Sequence, residues 1–281
     1  MSQSNFPPQG NMRIRLLVVF MCLSLHAWSQ EREDSYPLGH VLGEDGTFLI
    51  NAAYSIACRP LHWGGSEWLL AGEVAAGTGL ASTQDVAFHR ILDRNQNPTN
   101  DHLSDIVVVY GDGRYMFSLG VGMYLAGLFT GDHWIRQTGL LATGAMLFCG
   151  VFSTAVKIGV GRARPFVGLG NHWFQPFRFL NDDVHSFPSG HTVVAFAMST
   201  VLSRRIANIW ASIGLYALAS ATALSRTYTS EHWLSDVVFG AASATMISNS
   251  LVSWFDGAKN DDVGAFHVLP YAGGVSIVLT F

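Results

Sequence analysis

Between positions 114 and 254 this chain is a succession of five apolar stretches, each of helical length: 114–130, 137–157, 190–203, 206–224 and 233–254. Small residues recur through them, as in Gly139, Ala142, Gly144 and Ala145 of the second and Ala217, Ala219, Ser220 and Ala221 of the fourth. Small side chains let helices approach closely, so the pattern predicts an all-α helical bundle. Only 13% of residues are charged against 49% hydrophobic, and the mean hydropathy is +0.27. That balance leans toward a membrane protein or an unusually apolar helical one. A formal net charge of −4 argues against nucleic acid as a main partner, because backbone binding needs a basic face.

A bilayer core of about 30 Å takes about 20 helical residues. The second, fourth and fifth stretches are near that length; 190–203 is short unless it runs on through Arg204 and Arg205. If the polar motifs between these stretches share one face, the opposite helix ends carry Arg136, Arg204, Arg205 and Lys259. This fits a positive-inside arrangement with the motifs on the exported side. The competing expectation is a soluble exported bundle with a very apolar core.

The chain divides into four expected parts. Residues 1–29 read as a signal peptide: Arg13 and Arg15 precede an apolar run from Leu16 to Leu25, and Ala27-Trp28-Ser29 offers small residues where a signal peptidase reads them. An uncleaved anchor is the alternative, disfavoured by the shortness of the run. Residues 30–100 form an accessory segment, mostly irregular, with one amphipathic helix from Ser66 to Leu80; the polar stretch Asp93–Asn100 marks its boundary. Residues 101–256 hold the helical domain. Residues 257–281 form a tail in which 267–272 and 275–281, separated by Gly273-Gly274, read as a short β-hairpin. Cys58 and Cys149 show no metal-ligand spacing, and no disulfide framework is expected.

Three polar motifs interrupt the apolar pattern. Lys157 and Arg164 are seven residues apart, so they face the same way if the helix continues through Gly159 and Gly161. Arginine offers phosphoryl oxygens a planar donor fork, and lysine a mobile point charge. Arg162, in the same stretch, reads as a membrane-flanking cation. Pro188-Ser189-Gly190-His191 precedes an apolar run as a helix start should. The amides of Ser189 and Gly190 would point at an anion with the helix dipole behind them; an ordinary N-cap turn has the same look. Ser225-Arg226 is followed by His232 and Asp236, four apart and on one face of a helix start. There the carboxylate would accept the Nδ1 proton and leave Nε2 as an outward lone pair. A lone His-x-x-x-Asp is commonly a surface pair without consequence; Arg226 nearby shifts the balance toward a phosphate site.

These residues resemble the type 2 phosphatidic acid phosphatase superfamily, which also contains bacterial non-specific acid phosphatases and vanadium haloperoxidases. Its pattern K-x6-R-P, P-S-G-H and S-R-x5-H-x3-D is met without substitution by Lys157 to Pro165, Pro188 to His191 and Ser225 to Asp236. The resemblance implies a helical bundle and a two-step hydrolysis. His232 would attack phosphorus to give a phosphohistidine while Asp236 holds its ring. His191 would protonate the leaving oxygen and then activate water. Lys157, Arg164, Arg226, Ser189 and Gly190 would hold the phosphoryl oxygens. No metal or other cofactor is implied; Asp182 and Asp183 are read as solvating their loop rather than as ligands. His172, Trp173 and His185 are candidates for the entrance.

The leading expectation is therefore a metal-independent phosphatase acting on phosphomonoesters or pyrophosphates of lipids, membrane-embedded with its site on the exported face. Alternatives are a soluble periplasmic acid phosphatase of broad specificity and a vanadium-dependent haloperoxidase. A non-catalytic lipid-binding role is disfavoured because every reactive position is filled. An unprotonated His232 working with a protonated His191 predicts a bell-shaped pH profile.

Overall fold

Each apolar stretch is taken up by one helix, except that the fourth begins late: Ile206 ends the preceding helix and Asn208, inside the stretch, caps the next at Ile209. A computed structural model describes residues 38–260, 266–271 and 274–279. The helices are α1 Leu38–Cys58, α2 Gly65–Arg94, α3 Pro98–Val107, α4 Gly113–Thr130, α5 His133–Val160, α6 Gly190–Ile206, α7 Ile209–Tyr228 and α8 Leu234–Asn260. The described residues from Leu42 onward form one compact unit, which holds the bundle. The expected signal peptide lies outside the described residues.

Local chemistry sets the boundaries. Asn97 caps α3, its side chain accepting from the amides of Thr99 and Asn100, with Pro98 at the first helical position. Asp112 caps α4 through the Arg114 amide, Asp132 caps α5 through that of Ile135, and Asn208 caps α7 through those of Trp210 and Ala211. The stretch from Leu38 to Asn100 is correspondingly not irregular. It is almost wholly helical, and the helix expected over Ser66–Leu80 is the first half of a 30-residue α2. The polar boundary 93–100 shrinks to a break of three residues, Asn95 to Asn97, before α3 begins.

Helices α5, α6 and α8 form the centre. Leu141, Ala145 and Cys149 of α5 pack with Val193, Ala197 and Met198 of α6 and with Ala244, Leu251 and Val252 of α8. Helix α4 lies along α5, α7 along α6, and α2 along α8. The close α4–α5 approach requires glycine: a Cβ on Gly139 would collide with the backbone of Tyr124, and one on Gly127 with that of Arg136.

The helix ends away from the motifs are cationic but internally paired. Arg136 pairs with Asp45, which also accepts from Tyr124 at 2.8 Å; Arg204 pairs with Asp256 at 3.1 Å. Arg205 sits over the rings of Trp134 and Phe255. Beyond Asn260, the backbone segments Phe266–Tyr271 and Gly274–Leu279 run antiparallel in register, Phe266 opposite Leu279. They add no strand to the helical bundle.

Candidate active site

Helix α5 ends at Val160 because Gly161 adopts the left-handed conformation (φ 61°), its amide returning to the Lys157 carbonyl at 2.8 Å. A Cβ there would strike the Gln175 carbonyl. The expected continuous helix from Lys157 to Arg164 is thus corrected: Lys157 is in the last turn, and Arg162 to Arg164 run extended. That extended segment is stitched to the following loop. Ala163 N donates to Trp173 O, Arg164 N to Asp183 O and Ser186 N to Arg162 O, all at 2.9–3.0 Å.

The motifs meet. The Ser189 amide donates to the Asp236 carbonyl at 3.2 Å, joining the second motif to the third. A Cβ on Gly190 would stand 3.9 Å from Cε of Lys157, joining the second to the first. A cavity of about 380 Å³ opens beside them, lined among others by Asp112, Gly150, Thr154, Lys157, His191 and Val194. The positive charges of Lys157 and Arg164 act on His232, and those of Arg226, Arg164 and Lys157 on His191. Asp112, also facing His191, is held at a pKa of about 2 by its hydrogen bonds with Arg114.

His232 precedes α8 and is almost fully buried. Its Nδ1 lies 2.7 Å from the Ser186 carbonyl oxygen, whereas Asp236 Oδ2 is 3.8 Å away. The tautomer is therefore set by a main-chain acceptor, not by the carboxylate that the spacing suggested. Burial lowers the His232 pKa from 6.5 to about 4, the nearby carboxylate offsetting only part of the desolvation.

Asp236 has other work. Its Oδ2 accepts from Ser186 Oγ at 2.5 Å and from the Trp233 amide at 2.8 Å, and Oδ1 from Arg162 Nη1 at 2.5 Å. Arg162 also donates to Asp85 Oδ2 at 2.6 Å and to Ser235 Oγ at 2.7 Å, and Asp85 accepts from the Ser235 amide at 2.9 Å. Asp85, Arg162 and Asp236 are all buried. The cation read as membrane-flanking is thus the centre of a buried ion network whose second carboxylate comes from the accessory segment.

The three cradle cations each have an internal partner. Lys157 Nζ donates to the His185 carbonyl at 2.5 Å. Arg164 donates to Glu231 through Nη1, and through Nη2 to Asp182 at 2.8 Å. Arg226 Nη2 is 3.5 Å from the same Glu231 oxygen, and its buried Nε has no hydrogen-bond partner among the described residues. Ser189 caps α6 without a side-chain bond to the helix amides; its Oγ accepts from Thr192 Oγ1 at 3.0 Å. Of the loop residues expected at the entrance, His185 bonds the Arg178 carbonyl and His172 approaches Asn171 at 3.3 Å. Among the described residues no cluster of three metal-ligating side chains occurs.

The helix ends thus bring two histidines and three cations together, a charge arrangement that suits an anion. Residues 138–259 match the family model described as PAP2 superfamily. The lipid A 1-phosphatase of Porphyromonas gingivalis is 35% identical over 92 residues, which are 32% of this chain and 21% of that protein. The match thus spans about a fifth of that relative's length. Among solved structures, LpxE of Aquifex aeolicus aligns with a TM-score of 0.49 at 20% identity, covering 60% of this chain and 94% of that one. A transmembrane PAP2-type phosphatidylglycerolphosphate phosphatase from Bacillus subtilis aligns with a TM-score of 0.47 at 15% identity, covering 78% and 97%.

Proposed function

We propose that this chain is a membrane-embedded, metal-independent phosphatase of lipid phosphates that works through a phosphohistidine at His232. The observation that carries the reading is the Nδ1 contact with the Ser186 carbonyl. A carbonyl oxygen only accepts, so Nδ1 carries the proton and Nε2 keeps its lone pair. Lys157, Arg164 and Arg226 supply the charge that a transferring phosphoryl group requires, which is why no metal is assigned to the step.

In this reading Nε2 of His232 forms the bond to phosphorus as the ester P–O bond breaks, and His191 gives its proton to the departing oxygen. Water then attacks the phosphohistidine, returning its proton to His191, and the P–N bond breaks to release phosphate. The Ser189 amide, expected to face the anion, is taken by the Asp236 carbonyl, so Lys157, Arg164, Arg226 and the Gly190 amide hold the equatorial oxygens throughout.

Two observations support a lipid substrate. Large apolar side chains stand exposed along the helices, including Phe129, Val151 and Trp210, and α5 and α8 contain segments long and apolar enough to cross a bilayer. The relative from Porphyromonas gingivalis is named for a lipid phosphate. The active face would lie on the exported side, opposite Arg204 and Arg205. The antiparallel tail reads as an accessory hairpin of the bundle.

The test is phosphate release from lipid and soluble phosphates by detergent-purified protein in the presence of a chelator. Release from lipid phosphates that His232→Ala abolishes is expected; unchanged turnover in that variant refutes the assignment.

A further inference from the structure

Glu231 immediately precedes the histidine on which the proposed reaction is centred, and the motif pattern leaves its position unspecified. The turn that carries it is tight: the amides of Glu231 and His232 both donate to the Arg226 carbonyl, at 3.1 and 3.2 Å. The turn brings one carboxylate oxygen to both guanidinium groups, Arg164 through Nη1 and Arg226 through Nη2 at 3.5 Å. Those are the two planar donors that the family resemblance assigns to phosphate.

We propose that the Glu231 carboxylate is the internal occupant of the phosphate cradle, which a substrate phosphoryl group must displace, so that Glu231 selects against phosphates offering no binding contacts beyond the cradle. The inference rests on the phosphatase reading and deepens it by naming what sets its selectivity.

Three features fit a displaceable occupant rather than a permanent strut. A glutamate has three side-chain rotors, and this one is about one-third exposed (32%), so a path out of the cradle is open. One carboxylate does not saturate the donors: among the described residues the buried Arg226 Nε has no hydrogen-bond partner, where a tetrahedral anion brings further acceptors. Lys157 meanwhile rests on a neutral carbonyl, which a phosphoryl oxygen outcompetes as a charged acceptor. Asp182 also reaches Arg164, but its side chain is 83% exposed, and so exposed a pair contributes little.

The selectivity follows from competition. Inorganic phosphate or a small ester gains the two arginines only by releasing Glu231. A substrate with an apolar leaving group gains further contacts along the cavity beside His191, where Val193 and Val194 line it. Those contacts offset the displacement, and product phosphate, lacking them, leaves readily.

The test measures binding of inorganic phosphate to the full chain in detergent, by calorimetry, for wild type and Glu231→Gln, with turnover of a soluble ester and a long-chain phosphate measured in parallel. The amide keeps the shape and removes the charge. Glu231→Gln is expected to bind phosphate about ten- to a hundredfold more tightly, the range of one charge-assisted pair. Its KM for the soluble ester should fall more than its KM for the long-chain phosphate. Glu231→Asp, one methylene shorter, should fall between the two proteins. An affinity equal to or weaker than wild type, or no phosphate binding by a Glu231→Gln protein with a normal melting transition, overturns the proposal; a strut that orients Arg164 would give that result. If wild type hydrolyses no ester while the binding shift appears, the phosphatase reading falls and the displacement stands.

Discussion

Nδ1 of His232 stands 2.7 Å from the main-chain carbonyl oxygen of Ser186. The neighbouring Asp236 carboxylate, at 3.8 Å, is thereby freed from setting the tautomer. It instead anchors Ser186 itself through Oγ and ties the turn through the Trp233 amide. Asp236→Asn should then leave the proton on Nδ1, which nitrogen NMR of the ring checks directly. The loss of kcat should be about a hundredfold, short of the ~10⁴-fold seen where a carboxylate alone fixes the ring. A change of tautomer in the variant would show that Asp236 dominates after all.

The burial of His232 has consequences for pH. With a folded-state pKa of about 4 against 6.5, the unfolded chain binds the extra proton between those values. Stability contributed by this group is therefore complete above pH 6.5 and falls progressively as pH drops toward 4. The same shift keeps His232, the proposed nucleophile, unprotonated in mild acid. The acidic limb of kcat/KM assigned to His232 should lie near pH 4, and activity should survive at pH 5.5. A limb centred at 6.5 that His191 variants leave in place would contradict the shift.

Arg162 joins two buried carboxylates, Asp85 and Asp236, with its own side chain only 4% exposed. Removing it strands both charges. Arg162→Met should destabilise the fold by about 3–5 kcal/mol, read as a lowered Tm and denaturant midpoint. Asp85→Asn should cost less and, through Ser235 and Asp236, lower kcat more than it raises KM. If Asp85→Asn leaves both kcat and Tm unchanged, α2 gives the site no support.

How far the sequence foretells this site depends on the range of each contact. Lys157, Ser189, His191, Arg226, His232 and Asp236 sit in short motifs whose spacing is itself the signal. The Asp85–Arg162 pair is separated by 77 residues, and neither residue has a local partner that marks it. Arg162 therefore reads as a flanking charge, and α2 as an accessory. Helix ends are legible only to the limit of the apolar run, because caps such as Asp112 and Asp132 are polar and lie outside it. The break after Val160 is written in Gly161, but a glycine inside an apolar stretch equally suits close helix packing, which is how Gly139 is used. Glu231 carries only a weak signal: an acid beside a histidine and five residues from an arginine, where the surrounding pattern demands only cations.

The proposed placement in a membrane makes the sharpest spatial prediction. Exposed apolar side chains are spread over α4, α5 and α7 at mid-helix positions, among them Leu125, Val151 and Ile213. Water-facing helices would carry polar residues at those positions. The chain should sediment with membranes, resist osmotic shock and require detergent for release. Sidedness follows from placing one cysteine at each end of the bundle, after Cys22→Ser and Cys58→Ser, since Cys149 is buried. Leu180, fully exposed in the loop before α6, marks the motif end, and Trp210, 77% exposed at the start of α7, marks the other. A membrane-impermeant thiol reagent added to intact spheroplasts should label Leu180→Cys and spare Trp210→Cys until the membrane is opened. The reverse pattern would put the site on the inner face, against the charge asymmetry of Arg204 and Arg205. Labelling of both in intact cells, with release by shock, would return the protein to the soluble alternative.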